Sequence, residues 1–378
     1  MPIIRLKSFI YQLKMKIPYV DLSLQWKKEK KDLSPIINRV FEKGNYVIGK
    51  EVDIFEKNVA KACGTQYALA LNSGTDALTL SMYLLGVKQG DEVITPPNSF
   101  ISSTSSIVHI GAKPVFVDVL KDQNINPDLI EKAITKKTKA IMPVHLTGRV
   151  AEMNEILRIS KKYGIPIVED AAQSINSKYR GKKSGSFGEV GCFSAHPLKN
   201  LNACGDGGFL TTNNFSIYKK ALSFRNHGLV ERNIVKKFGF LSRMDVIQAS
   251  ILNYRLKKLN ETILKRRKNA KFYFENLDRK KYFLNDEKLY QFNTYHTFVI
   301  HVKNRNNLIK YLKNHGIGTA IHYPIPIHLQ PASKYLKYQK GSFPETEKQA
   351  SEILTIPIHQ NLSQSNLNWI VKCLNNFK

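Results

Sequence analysis

Cysteine is scarce in this chain. The four that occur, Cys63, Cys192, Cys204 and Cys373, lie too far apart for a metal knuckle or a Cys-x-x-Cys redox pair. They suit a reducing cytosol as unpaired thiols, so a cytoplasmic protein without a metal site is expected. Acidic residues are also few: 58 Lys and Arg against 30 Asp and Glu leave a net charge of +28. Such an excess raises the question of nucleic acid or an anionic membrane. The basic residues, however, come in short clusters from Lys27 to Lys281, such as Lys265-Arg266-Arg267-Lys268, and never form one long arm or an aromatic-interleaved stripe. No zinc-finger, RNA-recognition or basic-zipper signature accompanies them. The expectation is a solvated surface of one sign, with no specific nucleic-acid partner, whose field draws in phosphorylated or carboxylated small molecules. No apolar run approaches the length of a membrane span, so no membrane partner is expected. Residues 1–16 carry Arg5, Lys7, Lys14 and Lys16 without an acid, and their apolar runs are too short for a secretory signal. They are treated as an N-terminal extension, with Met15 as an alternative start.

What is present is enough apolar material for a sizeable core: 42% of 378 residues are apolar and 10% are aromatic, which suits two domains. Short apolar or β-branched runs recur at Tyr67–Leu71, Glu92–Ile94, Pro114–Val117, Ala140–Val144, Pro166–Val168, Gly191–Ser194 and Gly208–Thr212. They are separated by segments long enough for crossover helices. This rhythm predicts an α/β fold with a seven-stranded, mostly parallel sheet covered on both faces. In such open sheets, ligands bind beyond the carboxyl ends of the strands. Past Ser242 the pattern changes, and Asp245 to Leu277 shows helical spacing without Gly or Pro. We therefore expect a large domain over 17–244, an interdomain helix over 245–280 and a smaller C-terminal α+β domain over 281–378.

Three motifs fall at the predicted ligand edge. Asn72-Ser73-Gly74-Thr75 ends a strand and opens a helix, a turn that presents backbone N–H groups and a positive helix end to an anion such as phosphate. Ordinary N-capping by Ser73 or Thr75 would give the same letters. Val168-Glu169-Asp170-Ala171-Ala172-Gln173 places two acids at the end of an apolar run, where a carboxylate can hold a cationic ring nitrogen, bind a metal or cap a helix. No His or Cys lies near enough in sequence to complete an evident metal site. Ser194-Ala195-His196-Pro197-Leu198-Lys199-Asn200, before Gly205-Asp206-Gly207-Gly208, sets one lysine in a loop between two strands. In so lysine-rich a chain a single lysine is ordinarily solvated surface. An amine, a carboxylate and a phosphate cradle on one sheet edge are nevertheless the parts that pyridoxal phosphate (PLP) requires.

On these motifs the chain, from about Ile17 to its C-terminus, resembles the DegT/DnrJ/EryC1/StrS family of sugar aminotransferases, which have the aspartate-aminotransferase fold, PLP-transferase fold type I. The resemblance implies that Lys199 condenses with the coenzyme aldehyde, that Asp170 pairs with the ring nitrogen and that Gln173 lies by the ring hydroxyl. It implies that Gly74, Thr75 and Ser194 hold the phosphate and that Phe100 stacks on the ring, although a core phenylalanine reads the same way. His322 and Tyr323, in His322-Tyr323-Pro324-Ile325-Pro326-Ile327-His328, are expected to touch the sugar or the amino donor. Arg243, in Ser242-Arg243-Met244-Asp245, is a further candidate for the substrate side. The family is a homodimer whose active sites each borrow residues from the partner, so a two-fold assembly is implied. Leu241 departs from the asparagine that many members send to the other subunit's phosphate.

The implied reaction is a ping-pong transamination from L-glutamate to a nucleotide-linked keto sugar, making an amino sugar for polysaccharide, lipopolysaccharide or other glycan biosynthesis. In it Lys199 serves both as anchor and, when free, as proton carrier. Asp206, Gln173 and Asn200-Leu201 lean towards members that aminate 3-keto sugars, whereas His196-Pro197 leans towards the carbon-4 group. Two rivals stand beside this reading. A related dehydratase has histidine in place of the lysine, which Lys199 argues against. A catalytically idle family member could instead serve as a regulatory or scaffold subunit.

Overall fold

The computed structural model describes residues 17–378, and the extension over 1–16 lies outside the described residues. Helices α1 (Leu22–Lys43) and α2 (Lys50–Cys63) lead into β1 (Tyr67–Leu71), α3 (Gly74–Leu84), β2 (Glu92–Thr95), α4 (Ile101–His109) and β3 (Lys113–Phe116). There follow β4 (Thr138–Ile141), α5 (Met153–Tyr163), β5 (Val168–Asp170), β6 (Val190–Ser194), β7 (Gly208–Thr212) and α6 (Phe215–Phe224). Strands β3-β2-β4 pair in parallel, and so do β5 and β6. Parallel bridges Ile141↔Ile167 and Val144↔Asp170 join the two groups. With β7 antiparallel to both β6 and β1, the order across the sheet is β3-β2-β4-β5-β6-β7-β1. All seven expected runs are strands of this one sheet, and six of the seven point the same way.

Both faces are covered, and the two-residue period of a strand shows how. On β1, Ala68 and Ala70 face a cluster with Phe55, Val59 and Leu252, whereas Leu69 and Leu71 face Leu78, Leu80 and Ala221. Small residues lie on the side where α2 approaches closely; leucines fill the other side.

The stretch free of Gly and Pro forms α7 (Val246–Asn276), 31 residues and therefore about 46 Å long. Its first half packs Val246, Ala249 and Leu259 into the core under the sheet, and its second half packs Ala270 and Tyr273 into a separate core. That second core lies between α7, the small sheet of β8 (Phe283–Leu284), β9 (Phe298–His301) and β10 (Ile353–Ile356), and helices α8 (Arg305–Asn314) and α10 (Gln364–Asn376). Helix α9 (Pro344–Glu352) runs into β10. Ile17 pairs with Ile317 and packs in this same small core. The first described residues therefore sit with the C-terminal unit, although the expected boundary puts them at the head of the large one. The cause is a pairing 300 positions away, which no local pattern encodes.

Candidate active site

Each parallel strand ends at the same edge, so the residues just after β1, β2, β5 and β6 are brought together there. Ser73 caps α3, its hydroxyl accepting the Asp76 N–H at 3.0 Å. Gly74 and Thr75 head the helix, where backbone N–H groups find no acceptor within the helix itself. This turn is built around glycines. A Cβ on Gly208 would come within 2.2 Å of the Ser73 backbone, and one on Gly74 within 2.8 Å of Ser194 Cβ. The helix start is thus held directly against Ser194 and the beginning of β7.

Alternation along β5 sends its two acids to opposite faces. Glu169 is fully buried and accepts N–H groups of Gly185, Phe187 and Gly188 at 2.6–2.8 Å, together with His145 Nε2 at 2.9 Å. His145 Nδ1 accepts the Ala151 N–H at 3.2 Å, so Nε2 carries the proton. Glu169 therefore ties two loops together. Asp170 faces the sheet edge: Ser103 Oγ donates to its Oδ2 at 2.6 Å and the Ala172 N–H to its Oδ1 at 3.2 Å. Burial pushes the Asp170 carboxyl up, and the hydrogen bonds from Ser103 and Ala172 pull it back.

Lys199 lies on the irregular link between β6 and β7. The link is fixed by Ala195 N–H to Gly207, Ala203 N–H to Ala195, and the Asn200 amide to the carbonyl of Thr294 at 3.1 Å. Burial lowers the Lys199 ammonium to about 8, and the charge of Asp170 opposes that shift. A cavity of about 280 Å³ collects these groups. Gly74, Thr75, Phe100, Asp170, Gln173, Ser194 and Lys199, all expected at the site, line it together with His322 and Tyr323.

The small unit closes the far side. Gln173 Oε1 accepts the Thr147 N–H at 2.9 Å, which aims its Nε2 at the Tyr323 hydroxyl, 3.2 Å away. The Tyr323 and Phe100 rings are 5.9 Å apart. His322 Nδ1 meets Thr355 Oγ1 at 3.0 Å, and burial followed by the charge of Lys199 lowers this imidazole to about 4. It is neutral at physiological pH.

Arg243 is not brought to the cavity of this chain. Its guanidinium donates to Asn226 Oδ1 at 3.1 Å, beside the exposed Phe240 and Leu241. Conversely, Tyr19, Ser102 and His296 line the cavity without having been anticipated. Ser102 was within reach of sequence reasoning, because it follows Phe100 at a strand-to-helix junction of the ligand edge. Tyr19 and His296 carry no such local signal.

A PLP molecule needs an amine for its aldehyde, an acid for its ring nitrogen and a cradle of N–H and hydroxyl donors for its phosphate, and Lys199, Asp170 and the start of α3 with Ser194 offer these in one cavity. Against known proteins, the model of the DegT/DnrJ/EryC1/StrS aminotransferase family matches residues 27–375. The chain belongs to this family. It is a PLP-dependent aminotransferase, and solved relatives of the same fold have been determined in PLP and PMP forms. The dTDP-3-amino-3,6-dideoxy-alpha-D-galactopyranose transaminase of Aneurinibacillus thermoaerophilus is 39% identical over 96% of this chain and 99% of its own length. A protein of Geobacillus stearothermophilus named pleiotropic regulatory protein is 36% identical over 96% of this chain and 99% of its own. The crystal structure of S. venezuelae DesV superposes with a TM-score of 0.92 at 33% identity, covering 95% of this chain and 97% of that one. Among the described residues of the aminotransferase, no helix is long and apolar enough to cross a membrane, and no cluster of metal-ligating side chains occurs.

Within this aminotransferase, the coenzyme supplies an electron sink when bound. The protein's own part is to hold and move protons. Lys199, near 8, is partly free base at neutral pH and would carry a proton within the cavity, and Asp170 would supply the negative charge for a protonated ring nitrogen.

Proposed function

We propose that the enzyme transfers the amino group of L-glutamate to a nucleotide-linked keto sugar, with carbon 3 as the preferred site, in a homodimer with shared active sites. The observation that carries the reading is the convergence of Lys199, Asp170 and the start of α3 on one cavity at the carboxyl edge of the sheet. Amination at carbon 3 is supported by the name of the Aneurinibacillus relative and by the leaning of Gln173, Asp206 and Asn200-Leu201. His322, Tyr323 and the neighbouring His296 are read as the groups that meet sugar or donor. The products would serve polysaccharide, lipopolysaccharide or other glycan synthesis in the cytoplasm.

The dimer is supported by an unpaired apolar surface. Phe238 is 94% exposed, and Phe240, Leu241, Ile234 and Val235 are exposed beside it. A second hollow of about 650 Å³ lies between Tyr83, Phe240 and Leu241, and Thr75 lines both this hollow and the coenzyme cavity. A second copy seated there would reach the start of α3. Leu241 at this point offers it no hydrogen bond, and Arg243 nearby is read as facing the neighbouring site.

The test offers a panel of 3-keto and 4-keto nucleotide sugars with glutamate and identifies by mass and NMR the carbon that gains nitrogen. Nitrogen at carbon 4 replaces the favoured substrate with its alternative. The regulatory name of the Geobacillus relative favours one second reading, an idle scaffold subunit. Purified protein that is yellow, and in which borohydride fixes coenzyme on Lys199, argues for the enzyme; colourless protein with salt-sensitive DNA binding argues for the scaffold.

A further inference from the structure

The segment Ile101-Ser102-Ser103-Thr104-Ser105-Ser106 forms the first turns of α4, directly after Phe100. Serines in a helix commonly turn their hydroxyls back to the helix backbone. Ser105 and Ser106 do so, donating to the carbonyls of Ser102 and Ser103 at 3.4 and 3.1 Å. Ser102 and Ser103 instead point off the helix. Thr75 Oγ1 donates to Ser102 Oγ at 2.9 Å, at the start of α3. Ser103, 1% exposed, donates to Asp170 Oδ2 at 2.6 Å. One turn therefore sends Phe100 to the cavity, Ser102 to Thr75 at the start of α3 and Ser103 to the Asp170 carboxylate.

We propose that Ser103 is a positioning residue for the coenzyme: its hydroxyl fixes the Asp170 carboxylate so that the remaining acceptor sites face the ring nitrogen. The proposal rests on the reading of Asp170 as the partner of that nitrogen. Among the described residues, the carboxylate receives hydrogen bonds from Ser103 and from the Ala172 N–H. The other ionisable groups around it act by charge alone: Lys199 from the β6–β7 link, His145 after β4, Cys192 on β6 and Tyr323 from the small unit. Glu169 beside it is committed to His145 and the 185–188 loop. The strongest directional hold on Asp170 thus comes from a residue 67 positions earlier on another element. A short O–H···O⁻ bond in a buried site both orients the carboxylate and favours its charged form.

The experiment compares wild type with Ser103→Ala, Ser103→Cys and Ser103→Thr, each loaded with PLP. It reads the midpoint of the pH-dependent change in visible absorbance and the PLP dissociation constant. A carboxylate that loses its donor competes for the ring proton, and a neutral ring no longer helps the lysine-linked nitrogen shed its own proton. The Ala and Cys variants should therefore move the midpoint upward by roughly half to one pH unit and weaken PLP about five- to tenfold, while Thr restores both. Should the Ala variant fail to fold, the Cys variant, which keeps the volume and loses the strong donor, decides. Midpoints of the Ala or Cys variants superimposable on wild type overturn the role of Ser103 alone, as does a Thr variant that behaves like Ala. A wild type that takes up no PLP overturns the coenzyme reading beneath it.

Discussion

The two walls of the active-site cavity are built differently. On the sheet side, the polar groups are anchored: Asp170 accepts from Ser103 and the Ala172 N–H, and Gln173 accepts the Thr147 N–H. On the side contributed by the small unit, the groups are buried but less engaged. His296 Nδ1 has no partner among the described residues, and burial, with Lys199 next, pushes this imidazole well below its ordinary range. His322 and Tyr323 each make one side-chain hydrogen bond. An anchored carboxylate suits a permanent coenzyme, because it costs no reorganisation when that molecule binds. Neutral groups with donors and acceptors to offer suit a substrate that comes and goes.

That contrast can be broken most severely at Lys199. Lys199→Ala should lower turnover by more than about a thousandfold and abolish borohydride-dependent addition of the coenzyme mass to the protein. Next, Asp170→Ala should keep PLP bound yet reduce turnover by about a hundredfold or more, because the ring loses its fixed countercharge. Near-normal rates in that variant would refute the role given to Asp170. On the opposite wall, Tyr323→Phe should cost about tenfold in kcat/KM and leave PLP affinity unchanged. A large loss of PLP affinity instead would mean that the small unit holds coenzyme as well.

Two pH experiments sharpen the same difference. The rate at which coenzyme-free protein captures PLP should climb through pH 8 and level off, as the Lys199 amine loses its proton near 8; an ordinary lysine would keep the rate rising past pH 10. The smallest effect concerns stability. His301, His322 and His359, all in the small unit or facing it, are lowered to about 4 by burial first, whereas in the unfolded chain each would titrate near 6.5. The unfolded state therefore binds more protons between these values, so their contribution to stability is full above pH 6.5 and is lost as pH falls towards 4. The melting temperature should begin to fall near pH 6.5, above the carboxylate range; a flat curve down to pH 5 would contradict the neutral burial of these rings.

Much of the sheet wall was legible in the chain because it is local. Strand ends at Leu71, Asp170 and Ser194 can be read from short apolar runs, and the side chains that follow them inherit the ligand edge from the topology of a parallel sheet. The same logic carried Lys199, whose link joins two recognisable strands. The small-unit wall was less so. His322 and Tyr323 were anticipated through a resemblance, and Tyr19 and His296 were not anticipated, since they reach the cavity only because Ile17 pairs with Ile317 and α7 carries the small core to that place. Arg243, in a similarly suggestive motif, points to Asn226 and lies off the cavity.

The amino-acid sequence by itself determined the seven strands, the long helix and the lysine, acid and glycine turn of the coenzyme edge, because hydrophobic periodicity and turn chemistry act over a few neighbouring residues. Tertiary structure decided which of four serines meets Asp170, which acid faces the cavity and which closes a loop, and which rings line the opposite wall. These are matters of contact between elements far apart in the chain, where close packing and the need to satisfy buried polar groups select one arrangement among many that the local pattern allows.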